Sequence, residues 1–153
     1  MKPLCVRKSI RFQRYILGVA AVVLVGWGVI DGAPAFATNT SFALSLSPAS
    51  TTIQAGSSER LILAVTSEQG FAGTINVGVK SISPSVSTGP RFSLSRYDIP
   101  VSRTMPTSTA WLTAFTTTGT PAGTYTVTVS GIDISGGSQH GLTNWTTFTL
   151  TVP

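Results

Sequence analysis

Residues 121–131 read Pro-Ala-Gly-Thr-Tyr-Thr-Val-Thr-Val-Ser-Gly, and this stretch decides the fold class. Pro-Ala-Gly punctuates the chain as a turn. Behind it, threonine alternates with Tyr125, Val127 and Val129. A period of two puts the threonines on one face of a strand and the apolar residues on the other. Threonine is β-branched, so it favours extended backbone while offering a hydroxyl to water. Such a strand is wet on one side and buried on the other.

The same pattern runs outward in both directions. Upstream, Phe42, Leu44 and Leu46 alternate until Pro48, and residues 51–55 continue briefly to the Ala55-Gly56 turn. Leu61, Leu63 and Val65 form the inward side of the next strand. The turn at residues 70–73 leads into Ile75, Val77 and Val79. Residues 83–90 read as a loop or short edge segment, followed by Phe92 and Leu94, then Tyr97 and Ile99. Residues 100–107 connect to a strand at 109–116. Downstream, the Ser/Gly-rich residues 135–138 form a hairpin tip before a last strand at 142–152. After residue 40 no stretch shows apolar residues at helical spacing. About seven short strands with regular turn punctuation predict a two-sheet sandwich.

Three stretches resemble a known group of domains: Gly-Phe-Ala-Gly-Thr-Ile-Asn-Val (70–77), Phe-Ser-Leu-Ser-Arg-Tyr-Asp-Ile (92–99) and residues 121–131. They are similar to bacterial immunoglobulin-like (fibronectin-type) modules of secreted and surface proteins, over about residues 42–153. The resemblance implies an all-β, seven-stranded, antiparallel immunoglobulin-like sandwich with a spacer, stalk or binding role. It brings no shared catalytic residues, and one copy is seen where such modules often stand in tandem. Tyr125 enters the penultimate strand just after a glycine turn. It fits a tyrosine corner, in which the hydroxyl bonds back to the backbone, or an ordinary core tyrosine.

Residues 1–37 have a different composition. Lys2, Arg7, Lys8, Arg11 and Arg14 precede an uncharged apolar run at 15–30, and Ala35 and Ala37 end a small-residue segment. These are the parts of a secretory signal peptide with its helical apolar region, and cleavage is expected before Thr38, or else between Ala35 and Phe36. An uncleaved anchor is the alternative. The predicted division is therefore signal peptide 1–37 and sandwich 38–153, with the mature domain exported to the cell surface or medium and free of the membrane. Cys5 is the chain's one cysteine and lies in the leader, so the sandwich has no disulfide. The formal charge of +5 also belongs largely to the leader: beyond residue 37, five cations face four carboxylates, for +1. That is not the basic footprint of a nucleic-acid partner.

Chemistry is sparse in the sandwich. His140 stands alone in a Gly/Ser-rich loop, without a second histidine or cysteine to share a metal. Glu59, Glu68, Asp98 and Asp133 are the remaining carboxylates, with no spacing that makes a hydrolytic pair or a calcium loop. No enzyme activity, cofactor or metal is expected. Sequons occur at Asn39 and Asn144, where chance in a Thr-rich chain explains them.

Aromatic placement is the one feature that suggests contact. If Leu112 and Ala114 face inward, Trp111 and Phe115 face outward, beside the outward Ile62 and Arg60 of the neighbouring strand. Ile62, Trp111 and Phe115 would then form an exposed binding patch. A one-residue slip would instead turn both aromatics into core. Trp145 has the opposite parity to Phe148, Leu150 and Val152, so either a bulge at Thr146-Thr147 returns it to the core, the preferred reading, or it is exposed. The expected partner is a protein or polysaccharide of the cell envelope. Self-assembly through exposed strand edges is a third reading.

Overall fold

Alternation of threonine or serine with large apolar residues yields nine strand segments in the computed structural model, which describes residues 40–137 and 140–153. They are β1 (Ser41–Ser47), β2 (Ser50–Thr52), β3 (Ser58–Glu68), β4 (Gly73–Ser83), β5 (Arg91–Leu94), β6 (Asp98–Val101), β7 (Thr107–Phe115), β8 (Gly123–Asp133) and β9 (Thr143–Val152). The leader, its cleavage residues Ala35 and Ala37, Cys5 and the Asn39 sequon lie outside the described residues.

Two sheets form. One has the order β1-β3-β7-β5 and the other β2-β9-β8-β4-β6. Nine segments reduce to seven strands because two of them change sheets midway. β1 pairs antiparallel with β3, and past Pro48 the chain crosses over so that β2 lies parallel to β9. β5 pairs with β7, and four residues later β6 pairs with β4 in the other sheet. Strands that switch sheets make the corners of a sandwich. The result is an immunoglobulin-like β-sandwich, antiparallel throughout except for the β2–β9 pair.

The inward faces meet in one core. Phe42, Leu61, Leu63, Val65 and Leu112 come from the first sheet, and Ile75, Val77, Val127, Val129, Phe148 and Leu150 from the second. Burying each such side chain contributes about 1.5–3 kcal/mol. Tyr125 is buried, and its hydroxyl donates to the Pro121 carbonyl at 2.8 Å. That bond reaches back four residues to the turn, as in a tyrosine corner.

Two expectations are corrected. β8 and β9 pair in unbroken register, so no bulge occurs at Thr146-Thr147 and Trp145 stays on the outer face, 60% exposed. The bulge lies instead in β4, between Val79 and Ser81. The extra residue there is Lys80, whose ammonium rests 5.5 Å from the Trp145 ring centroid. Tyr97 is likewise exposed and not part of a strand, because residues 95–97 make the crossing between sheets.

Edges are blunted. β2, β5 and β6 are three or four residues long, β6 carries Pro100, and the free half of β4 carries the Lys80 bulge. Across the seam between β1 and β9, Asn144 Nδ2 donates to the Phe42 carbonyl at 2.7 Å. Short edges, proline, lysine and bulges all hinder strand addition.

Candidate functional site

The outer face of the β1-β3-β7-β5 sheet carries Trp111 and Phe115. Register fixes three neighbouring rows. Ile62 of β3 lies directly opposite Trp111 of β7, and Ser95 follows on the far side, its Oγ accepting from the Trp111 amide at 2.9 Å. Next come Arg60, Thr113 and Ser93. The third row is Ser58, Phe115 and Arg91. Ile62, Trp111 and Phe115 are 40%, 49% and 43% exposed, while Leu61, Leu112 and Ala114 of the alternate positions are buried. The three residues singled out in the sequence thus stand together on one solvent-facing surface.

Arginines frame that surface, a feature that sequence reasoning caught only at Arg60. Arg91 is the cross-strand neighbour of Phe115. Arg96 bonds through a terminal guanidinium nitrogen to the Thr109 carbonyl, one outward position from Trp111. Arg60 is diagonal to both rings. Diagonal neighbours on a sheet face lie about 7–8 Å apart, within reach of long side chains. No carboxylate occupies the three rows; Glu59 has the inward parity at the strand end, and Glu68 is at the far end of β3, accepting from Ser41 Oγ at 2.6 Å. The signal for Arg91 and Arg96 was the short Arg-x-x-x-x-Arg segment at 91–96, whose sheet partner could not be read without the crossing.

The carboxylates do not assemble into a hydrolytic pair. Glu59 and Glu68 are nine residues apart on one strand, which at strand rise is about 30 Å, whereas paired glycosidase carboxyls lie about 5–10 Å apart. Asp98 faces outward and accepts from Asn76 Nδ2 at 2.7 Å. Asp133 faces inward on the same sheet, where one oxygen accepts from the Ser135 amide and hydroxyl. Its Oδ2 is buried without a partner. Among the described residues no three metal-ligating side chains cluster. His140 is exposed in its turn, and its amide donates to the Gly137 carbonyl. Asn144 is half-buried, and the nitrogen that would carry a glycan is the one committed to Phe42.

The unpartnered Asp133 oxygen leads to a stability test. An amide in its place keeps the Oδ1 acceptor and brings no charge to desolvate, and burying a charge costs more than burying an amide. Asp133→Asn is expected to match or exceed the parent in urea midpoint, by up to about 1–2 kcal/mol. Asp133→Ala, which removes both Ser135 bonds, is expected to lower it.

No family model matches this sequence, and no curated protein does either. Solved structures share the sandwich at low identity. Domains 4 and 5 of the S-layer protein SbsC match at 14% identity and TM-score 0.46, over 74% of this chain and 53% of theirs. The BIgI domain of the S. agalactiae beta protein, solved bound to CEACAM1, matches at 19% and 0.41, over 73% of this chain and 96% of its own. A family 123 glycoside hydrolase from Clostridium perfringens matches at 7% and 0.48, over 73% and 27%. The chain thus spans about half of the S-layer fragment.

Proposed function

We propose that the sandwich is a non-catalytic adhesive module of the cell surface or medium, exported through the leader, which makes contact through the outer face of the β1-β3-β7-β5 sheet. One observation carries this reading: Ile62 and Trp111 are direct cross-strand partners and, with Phe115, are left half-exposed on a surface that the domain's own core does not need. An exposed apolar pair such as Ile62 and Trp111, with a second aromatic on the same face, marks a candidate interaction site. The short, proline-bearing or bulged edges at β2, β5, β6 and β4 work against strand-to-strand self-assembly, and the scattered carboxylates give hydrolysis no support.

The test uses residues 38–153, which contain the whole core, sedimented with envelopes of the producing cells. The parent is expected to pellet, and Trp111→Ala to lose at least about tenfold in retention, as for the central aromatic of an interface. Trp145→Ala, on the opposite sheet, is expected to pellet like the parent. Equal retention of the Trp111 variant, or equal loss in both, would remove this face from the function.

A further inference from the structure

We infer that the ligand of this face is an anionic polysaccharide, a chain of sugar rings bearing carboxylates. This rests on the adhesive reading above and assigns its chemistry.

The spacing along β7 is the first reason. Trp111 and Phe115 are four residues apart on one strand and on the same side, about 13 Å at strand rise. Between them runs the polar row of Arg60, Thr113 and Ser93. The face is therefore apolar, polar, apolar along its length. A protein interface concentrates its apolar residues at the centre, where arginine is the charged residue that is enriched, and puts most polar groups at the rim. Here a polar row separates the apolar residues, and a dry protein contact would have to supply an acid for Arg60 at its middle, because an unpaired charge is costly to bury. A polysaccharide suits the alternation better. Its ring faces can lie on the indole and the phenyl ring, while its hydroxyls meet the middle row directly or through water.

Charge is the second reason. Two of the five cations beyond residue 37, Arg60 and Arg91, neighbour the two aromatic residues in register, and a third, Arg96, is tied to the Thr109 carbonyl two residues before Trp111. No carboxylate shares their rows to neutralise them. Guanidinium groups present a planar fork of donors that matches a carboxylate with two parallel bonds. Arg96 is restrained by its bond to the Thr109 carbonyl on β7, which reduces the freedom lost on binding. A neutral glycan would leave all three cations unanswered.

Affinity electrophoresis of residues 38–153 through gels containing polygalacturonate, alginate, dextran or poly-glutamate tests this. Retardation is expected with the two uronic-acid polymers and not with dextran, weakening as salt rises. Trp111→Ala and the double variant Arg60→Ala/Arg91→Ala are each expected to lose at least about tenfold in affinity, and Arg103→Ala, whose side chain reaches the Gly70 carbonyl away from this face, to lose none. Circular dichroism and urea midpoints confirm that the variants stay folded. Equal retardation by dextran would overturn the anionic assignment. Retardation by poly-glutamate that equals the uronans and survives Trp111→Ala would overturn the sugar. If no uronan binds while envelope sedimentation still depends on Trp111, the polysaccharide falls, the adhesive face stands, and its partner is a protein. If sedimentation does not depend on Trp111 either, both fall.

Discussion

Tyr125→Ala is expected to cost about 3–5 kcal/mol of folding stability, and Tyr125→Phe about 1 kcal/mol. The ring is 2% exposed and packs at the entry of β8, between the turn at 121–123 and the Leu150 row of β9. Removing it leaves a cavity where the two sheets meet. The phenylalanine variant keeps the ring and deletes only the hydroxyl bond to the Pro121 carbonyl at 2.8 Å. The two variants therefore separate packing from the corner bond. Urea unfolding followed by tryptophan fluorescence gives both values at once. A Tyr125→Phe midpoint equal to the parent's would mean that the hydroxyl does not hold the turn, and that the ring alone matters.

What could be read before the structure follows from what alternation encodes. Period-two spacing depends on each strand alone, so β3, β7, β8 and β9 were legible from their own residues. Sheet crossing is not local. The short runs at 50–52, 91–94 and 98–101 carry the same composition whichever sheet receives them, and only pairing with β9, β7 and β4 tells them apart. Local spacing therefore gives Tyr97 as strand and leaves Arg91 without its cross-strand partner Phe115. Trp145 shows a different error. Its parity reads outward, and the bulge expected at Thr146-Thr147 does not form. The residue spacing held the true bulge elsewhere: Val77 and Val79 keep the period, but the next apolar residue is Ile82, three positions on. An odd step inside an alternating strand is what one extra residue looks like in sequence. Lys80 is that residue, and the bulge carries it out over the Trp145 ring.

Gly131 ends the stretch from which the fold was read, and Gly131→Val is expected to cost about 3 kcal/mol, with Gly131→Ala intermediate. Glycine inside a strand ordinarily weakens it, because the chain loses more freedom on folding and gains no packing, so adding a methyl should help. Space reverses the sign here. Gly131 faces inward on β8, and a Cβ would come within 2.8 Å of Ile75 Cγ2, 3.2 Å of Phe42 Cε2 and 3.3 Å of Leu44 Cδ1. Ile75 belongs to its own sheet, but Phe42 and Leu44 belong to β1 of the other. The missing side chain lets β1 approach closely enough for Asn144, the cross-strand partner of Gly131, to reach the Phe42 carbonyl. A valine would push β1 outward, strain the Ile75 rotamer and stretch that bond together. Urea midpoints should therefore show Gly131→Val and Asn144→Ala to be less than additive in combination, since both variants release the same seam. Full additivity would mean that the glycine serves packing around Ile75 alone and has no part in closing the sandwich.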